Sequence, residues 1–227
     1  MADSGHMRYY PVFLDIAGKP VIVVGGGNIA LQKVEGLIAA GAEVTLVSPD
    51  LLPGLQEMVE SGQITHINRE YEPGDLEGYK LAFVATDDRS TNATITNEGR
   101  ERGIWVNAVD DPPNCDFIMP GVIRQGDLVV AVSTSGGSPA MARKVREDLE
   151  QFLGQEDALL LDLAAEVRHE LRDRDVAVKP CNRCDRNHLD VWNAALDAEV
   201  KRLLGQGERA QAKERLLKSL LAPSESL

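Results

Sequence analysis

The 227-residue chain has few aromatic side chains, few cysteines and a deficit of positive charge. Its three cysteines are too few for a disulfide framework, and they favour a reducing, cytoplasmic location. No apolar run approaches the roughly 20 residues that a membrane-spanning helix needs, and the start lacks a signal-peptide pattern, so we expect no membrane association. The formal net charge of −12 argues against a nucleic-acid or anionic-membrane partner.

Apolar runs alternate with helical patterns over the first half of the chain. Short β-branched runs predict five strands with helices between them. The predicted strands are 21–24, 43–47, 64–67, 81–85 and 104–106, and the predicted helices are 29–40, 51–61 and 91–102. This alternation indicates an α/β fold with a Rossmann-type parallel sheet, which binds ligands at the carboxyl ends of its strands.

The first predicted strand runs directly into a glycine turn and then a helix. Gly25, Gly27 and Ala30 fill the positions of a G-x-G-x-x-A dinucleotide-binding turn. The first glycine permits the bend, the second lets the backbone approach a pyrophosphate, and the small third residue lets helix and strand pack closely. The free N–H groups of the helix start, at Asn28 and Ile29, face the anion. The alternative is a glycine-rich turn that binds nothing.

Polar residues follow three other predicted strands at the same edge of the sheet. Ser48 follows the second strand, Thr86 and Asp87 follow the fourth, and Asn107 to Asp111 follow the fifth. We expect Thr86 and Asp87 to line the cofactor cleft, although both residue types also cap helices. Ser48 stands where an NAD site usually has an acidic residue, and the absence of an arginine there argues mildly against NADP.

The pattern changes near residue 116. Apolar residues at 117–119 and 122–123, the turn at 125–127 and the run at 128–132 predict an antiparallel pair of strands. Ser138 is a good N-cap and Pro139 a good first helical residue, so a helix is expected from there to about residue 152. Residues 156–221 are amphipathic and strand-free, with an interruption at 178–187, which indicates a small helical domain.

Five stretches in this order and spacing resemble the precorrin-2 dehydrogenase family, which also forms the N-terminal part of siroheme synthases. The stretches are VVGGGNIALQK (23–33), GAEVTLVSP (41–49), VATDDRSTN (84–92), VNAVDDPPNCDFIM (106–119) and DLVVAVSTSGGSPAMAR (127–143). Some members of the family are also sirohydrochlorin ferrochelatases. The resemblance covers about residues 8–150 closely, whereas the helical tail fits in general character.

The resemblance implies a homodimer built from three parts, with the active site in a cleft between the domains. Residues 1–6 are interpreted as an expression scar ahead of Met7. The expected parts are an NAD-binding Rossmann domain at 7–115, a dimerisation segment of antiparallel strands plus a helix at 116–153, and a helical domain at 154–227.

The implied reaction is NAD-dependent dehydrogenation of precorrin-2, a tetrapyrrole, to sirohydrochlorin. Asp110 is the acid/base residue that the resemblance implies, and Fe(II) or Co(II) insertion at the same carboxylate is a possible second reaction. Asp111 receives a lesser, structural role. The alternative is that both aspartates cap the turn that follows them. The family generally carries a serine at the position of Ser48, which keeps NAD as the expected cofactor.

A carboxylate-rich substrate requires local positive charge in an acidic protein. The loop with Thr134, Ser135 and Gly136, followed by the helix start at Ser138, is expected to bind substrate carboxylates, together with Arg143. Lys144 and Arg146 lie on the same helix, and a solvated basic face is the favoured interpretation for those two.

Cys181, Cys184 and His188 form a C-x2-C-x3-H spacing in the tail, which is not associated with this family. Two thiolates and an imidazole can hold zinc, with a fourth ligand from His169, a second subunit or water. A redox-active pair and two reduced cysteines are the alternatives.

Two other functions compete with the dehydrogenase. One is a chelatase whose Rossmann domain has lost its redox role, which the intact glycine turn opposes. The other is a non-catalytic, NAD-responsive dimeric regulatory module, which needs the glycine turn but has no use for Asp110 or for the loop at Thr134.

Overall fold

The structure is a computed structural model that describes residues 9–109, 111, 114–174 and 188–221. The chain divides into two compact units between Met119 and Pro120. We call the part up to Met119 unit one and the part from Pro120 unit two. Their internal structures are described separately.

Unit one contains a five-stranded parallel sheet in the order β3-β2-β1-β4-β5. This confirms the predicted Rossmann-type sheet. Its elements are β1 (Pro20–Val24), α1 (Asn28–Ala39), β2 (Glu43–Val47), α2 (Pro53–Glu60), β3 (Thr65–Ile67), β4 (Leu81–Val84), α3 (Arg89–Arg102) and β5 (Trp105–Ala108).

The central strands β1 and β4 are buried on both faces, which explains their continuous apolar runs. Val21 and Val23 of β1 pack with α1 and α2 on one face. Ile22 and Val24 pack with α3 on the other face. The sheet is therefore a three-layer core with helices on both sides, and its carboxyl edge carries the connecting loops.

The border strand β5 is covered by the segment that follows it. The Asp116 carboxylate accepts a hydrogen bond from the Val106 N–H at 2.8 Å, and the Asp116 N–H donates to the Val106 carbonyl at 2.8 Å. Phe117 packs edge-on against Phe83, with ring centroids 5.5 Å apart. The prediction that residues 117–119 begin the antiparallel pair was therefore wrong, because the first strand of that pair begins at Gly121 and Phe117 packs against the core of unit one.

A buried carboxylate holds the connection between β3 and β4 to α3. Glu98 is 9% exposed and accepts hydrogen bonds from the Tyr71 hydroxyl at 2.5 Å and from the Gly74 N–H at 2.9 Å. The Arg102 guanidinium lies 2.8 Å from the same carboxylate. Burial and the neighbouring carboxylate raise the pKa of Tyr71, so this hydroxyl stays a donor.

Unit two begins with an antiparallel hairpin. The strands β6 (Gly121–Gln125) and β7 (Leu128–Val132) pair so that Ile123 lies opposite Val130. Gly126 in the two-residue turn has φ +57°, as turns of this kind require. The helix α4 follows at Pro139–Phe152, with the Ser138 hydroxyl accepting from the Met141 N–H, as predicted.

The rest of unit two is helical. Its helices are α5 (Gln155–Asp173), α6 (His188–Ala195), α7 (Ala198–Gly205) and α8 (Arg209–Leu221). They share a core that includes Leu163, Val200 and Leu216. At the start of α5, the Asp157 carboxylate accepts from the Gly154 N–H at 2.9 Å and pairs with Lys201 of α7 at 2.6 Å. In the described part of the chain, no helix is long and apolar enough to cross a membrane.

Candidate functional site

The glycine turn between β1 and α1 is held tightly on its first residue. Gly25 has φ +117°, and a Cβ atom there would lie 2.3 Å from the Ala85 carbonyl oxygen. Its N–H donates to the Val47 carbonyl at 2.9 Å. The turn therefore lies between the ends of β2 and β4, and glycine is required both by its dihedral angle and by the close approach.

Glycine is also required at position 26, which the sequence analysis missed. A Cβ atom at Gly26 would lie 1.8 Å from the Asp50 carbonyl oxygen, and the Leu52 N–H donates to the Gly26 carbonyl at 3.0 Å. The loop after β2 thus packs directly on the turn. The dinucleotide motif treats this position as variable, so sequence spacing gave no signal for it.

Gly27 faces open space, in contrast to its two neighbours. A Cβ atom there would meet no atom of the described chain within 4 Å. Gly27 is the N-cap of α1, and its first turn has neither a side-chain cap nor an acidic residue among the described groups. Asn28 and Ile29 are exposed at this helix start, whereas Ala30 is fully buried. Uncapped N–H groups beside open space fit a pyrophosphate.

Ser48 lies at the end of β2 and organises the loop that follows. It is 6% exposed, and its hydroxyl donates to the Asp50 carbonyl at 2.7 Å. The ring of His66 in β3 contacts the Ser48 carbonyl, with Nε2 at 2.8 Å. The Ser48 hydroxyl proton already has an acceptor, so the hydroxyl could only accept a hydrogen bond from a cofactor. Direct contact between the two stays a prediction.

The residues after β4 divide between a half-buried hydrogen-bonded pair and a helix cap. The Thr86 hydroxyl donates to the side-chain carbonyl of Asn92 at 2.6 Å, and the Asn92 amide donates to the backbone carbonyl of Thr86 at 3.1 Å. Asp87 is exposed. The N-cap of α3 is Asp88, whose pKa is lowered to about 2 by hydrogen bonds from Thr91 and Ser90. Asp88 therefore supplies the cap that the alternative interpretation gave to its two neighbours, and their cofactor contacts stay predictions.

Asn107 lies within β5 and is directed into the protein. It is 6% exposed, and its amide donates to the Phe117 carbonyl at 2.9 Å. Cys115 donates to the Ala108 carbonyl at 2.9 Å, and burial raises the pKa of its thiol. Because the thiolate is the reactive form, a raised thiol pKa disfavours Cys115 as a nucleophile. Burial also lowers the pKa of nearby Lys33, a residue that the sequence analysis did not single out.

Asp110 lies outside the described residues, so its role stays a prediction. Its neighbour Asp111 is half-buried. The Asp111 carboxylate accepts from the Asn114 amide at 2.7 Å, and its N–H donates to the Ala108 carbonyl at 3.3 Å. These contacts agree with a structural role for Asp111 and equally with the alternative in which it caps the turn.

The predicted substrate loop lies in unit two. The Thr134 hydroxyl is 3.0 Å from the Ser138 carbonyl and accepts from the Ser138 N–H at 3.2 Å. Ser135 and Gly136 both have positive φ, at 52° and 83°. Arg143 is 77% exposed at its side chain and pairs with a glutamate one turn later on α4. Substrate binding by this loop stays a prediction.

The two other cations of α4 are paired in the same way. Lys144 lies 3.1 Å from Asp148, and Arg146 lies 2.7 Å from Glu150. The Lys144 side chain is 68% exposed, which agrees with the favoured interpretation of a solvated face. The Arg146 side chain is only 27% exposed and lies beside Gly121 of β6, so that interpretation does not fit Arg146.

The predicted zinc ligands cannot be placed. Cys181 and Cys184 lie outside the described residues, and His188 begins α6 but its side chain is also outside them. Among the described side chains, no group of three His, Cys, Asp or Glu has the arrangement of a metal site. His169, the suggested fourth ligand, lies 3.3 Å from Asp173.

Comparisons with known proteins agree with this architecture. The NAD(P)-binding family model matches residues 12–121, and the model for the central region of sirohaem biosynthesis proteins matches residues 125–151. A solved structure titled SirC, precorrin-2 dehydrogenase, has a TM-score of 0.72, with 23% identity over 92% of this chain and 100% of that one. This likeness establishes the fold. With the turn at Gly25–Gly27, it defines a Rossmann-type NAD(P)-binding protein.

Relatives in sequence specify the family. The siroheme synthase of Photobacterium profundum is 35% identical over 211 residues, which are 93% of this chain and 44% of that protein. The siroheme synthase of Methylococcus capsulatus is 37% identical over 211 residues, 93% of this chain and 43% of that protein. The resemblance to the precorrin-2 dehydrogenase and siroheme synthase family is therefore confirmed over nearly the whole of this chain. The chain spans less than half the length of these relatives.

Proposed function

We propose that the chain is an NAD-dependent precorrin-2 dehydrogenase that produces sirohydrochlorin for siroheme or cobalamin synthesis. The observation that carries the proposal is the open, uncapped start of α1 at Gly27, directly after a buried parallel strand. The relatives named siroheme synthases support the substrate class. When bound, NAD supplies the acceptor for the hydride that leaves the reduced macrocycle.

The edge of the sheet favours NAD over NADP. The loop after β2 carries the exposed carboxylate of Asp50 and the buried Ser48. Arg69 follows the neighbouring strand β3, but both of its terminal nitrogens bind the Asp75 carboxylate at 2.7 Å. A 2′-phosphate at this edge would meet a carboxylate and a guanidinium that is already paired, and this disfavours NADP.

Asp110 is the proposed base. It takes a proton from the macrocycle as the hydride leaves, and the half-buried Asp111 beside it keeps the start of the loop folded. The loop from Thr134 to Ser138 and Arg143 is proposed to bind substrate carboxylates. Fe(II) or Co(II) insertion into sirohydrochlorin is a second reaction that the same base would serve by accepting protons from pyrrole nitrogens.

The test is an anaerobic assay with precorrin-2 and NAD that follows the sirohydrochlorin spectrum. We expect Asp110→Ala to lower turnover by about 10²-fold or more, with unchanged affinity for NAD, because the base acts in chemistry rather than in binding. Asp111→Asn is the matched control and should retain most of the turnover. Addition of Fe(II) or Co(II) tests chelation as faster-than-spontaneous loss of that spectrum.

Two results would contradict the proposal. Equal turnover of Asp110→Ala and the wild type would remove Asp110 from the mechanism. NAD binding by the wild type without any conversion of precorrin-2 would favour the NAD-responsive regulatory module instead.

We also propose that the chain forms a homodimer through the hairpin and α4. Within unit two, Val122 is 42% exposed, Met141 is 52% exposed and Phe152 is 78% exposed. Every residue of α4 keeps some exposure to solvent. Sedimentation velocity should give a dimer for the wild type and a shift toward monomer for Val122→Glu. An unchanged dimer in that variant would place the interface elsewhere.

The C-x2-C-x3-H spacing supports a separate proposal, that Cys181, Cys184 and His188 bind zinc in the tail. Elemental analysis of protein purified without chelators should give about one zinc per chain, and Cys184→Ser should lose it. Zinc content that is independent of these cysteines would contradict this proposal.

A further inference from the structure

A chain of hydrogen bonds connects β3 to the glycine turn through the loop after β2. We propose that His66 is a positioning residue for the dinucleotide: by holding the Ser48 carbonyl it fixes the loop that packs on Gly26. This inference rests on the proposed binding of NAD to the turn.

The first bond fixes the ring of His66. His66 is half-buried in β3, where it pairs in register with Leu46 of β2. Its Nε2 lies 2.8 Å from the Ser48 carbonyl oxygen. A carbonyl can only accept, so Nε2 carries the hydrogen. The neutral Nε2–H tautomer and the imidazolium both supply this donor, so the bond does not depend on the charge of the ring.

The next bonds carry the constraint to the turn. The Ser48 hydroxyl donates to the Asp50 carbonyl at 2.7 Å. That carbonyl oxygen occupies the space beside Gly26, 1.8 Å from where a Cβ atom would stand, and the Leu52 N–H donates to the Gly26 carbonyl at 3.0 Å. Residues 48–52 are therefore fastened at both ends. Ser48 is tied to β3 through the His66 ring and through its own N–H, which donates to the Ile67 carbonyl at 3.3 Å, and Leu52 is tied to the turn.

The position of this loop decides which part of the dinucleotide it affects. The end of β2 is where a Rossmann site meets the adenosine ribose, and the turn that follows β1 meets the pyrophosphate. When a loop is already ordered before binding, the ligand does not have to order it, and the binding affinity is higher. His66 acts on the loop through a backbone carbonyl, so we expect it to change cofactor affinity and to leave the chemical step alone.

The test compares two replacements of His66 by isothermal titration with NAD. His66→Leu removes the donor, and we expect the dissociation constant for NAD to rise about tenfold, the upper part of the range for one lost hydrogen bond. His66→Gln keeps an amide donor near the position of Nε2 and should stay within about threefold of the wild type. Turnover at saturating NAD should be equal in all three proteins. His169→Leu, an exposed histidine of α5, is the control.

A second variant approaches the same loop from its other side. Ser48→Ala removes the bond to Asp50 and leaves His66 in place, so the dissociation constant should also rise. Combined with His66→Leu, its effect should be less than the product of the two separate effects, because both act through one loop.

Several results would overturn the inference. If His66→Leu melted at a lower temperature and still bound NAD like the wild type, the histidine would stabilise the fold only. Equal losses of affinity in His66→Leu and His66→Gln would exclude the hydrogen bond as the cause. Fully multiplicative effects of His66→Leu and Ser48→Ala would exclude a shared loop. Failure of the wild type itself to bind NAD would instead refute the proposed function.

Discussion

Replacement by alanine, which adds one methyl group, should have different effects at Gly26 and at Gly27. At Gly26, the methyl carbon would lie 1.8 Å from the Asp50 carbonyl oxygen, which must retreat by about 1.6 Å to reach ordinary contact at 3.4 Å. At Gly27, the methyl carbon meets no described atom within 4 Å, and the backbone has φ −88° and ψ −171°, which alanine adopts easily. Gly26→Ala should therefore damage the fold, and Gly27→Ala should damage ligand binding.

The magnitudes follow from the contacts. Moving the Asp50 carbonyl disturbs its bond from Ser48 and the bond from Leu52 to Gly26, each contributing about 1 kcal/mol, in addition to about 1–3 kcal/mol for overpacking. Gly26→Ala should lower the free energy of unfolding by about 3 kcal/mol and the melting temperature of unit one by roughly 10 °C. For Gly27→Ala, a gain of about 0.4–1 kcal/mol from the unfolded state is offset by a weaker N-cap.

Scanning calorimetry and isothermal titration with NAD measure the two effects separately. Gly27→Ala should melt within about 2 °C of the wild type and bind NAD more than tenfold more weakly, because its methyl group would occupy the space proposed for the pyrophosphate. If Gly27→Ala bound NAD as tightly as the wild type, the anion would not lie at this helix start. If Gly26→Ala melted like the wild type, the contact with Asp50 would not constrain the turn.

Three further changes test the parts that support the site. Glu98→Ala leaves the donors of Tyr71 and Gly74 without an acceptor, so thermal denaturation should show a loss of about 3 kcal/mol, and Glu98→Gln should lose less. The pKa of Asp88 is about 2 in the folded chain and 3.8 in the unfolded chain, so its stabilisation is present above about pH 4 and is lost as the pH falls towards 2. Asp88→Asn keeps the cap and should show a flatter pH profile in that window, and equal slopes would contradict this account. Asp157→Ala removes the cap of α5 and its ion pair with α7, and chemical denaturation should show a loss of about 1–2 kcal/mol, confined to unit two.

The sequence predicted those elements whose local and tertiary preferences agree. The strand at 43–47 and the helix ending at Phe152 were found with their bounds, because β-branched runs and an N-cap followed by proline are local signals. The apolar run at 117–119 has the composition of a strand, yet Phe117 lies against Phe83 in another part of the chain. Nothing local in sequence distinguishes a run that pairs from a run that packs.

The sequence predicted the glycine motif of the candidate site but not the residues that pack around it. The spacing of Gly25, Gly27 and Ala30 identified the turn, because each position has a separate steric requirement. Gly26 was missed since its constraint comes from a carbonyl 24 residues away, at Asp50. Glu98 was missed because a carboxylate on a polar helix normally faces solvent, and its burial depends on two donors from a distant loop.

The contacts of Asp116 with β5 bear on aggregation through the border strands of the sheet. An unpaired border strand is a template on which other chains can add strands and start aggregates. Asp116 satisfies both backbone groups of Val106, and the opposite border, β3, is only three residues long. Both borders of the parallel sheet are thus poor templates for strand addition. The β6–β7 hairpin, by contrast, has no third strand paired to it within the described chain.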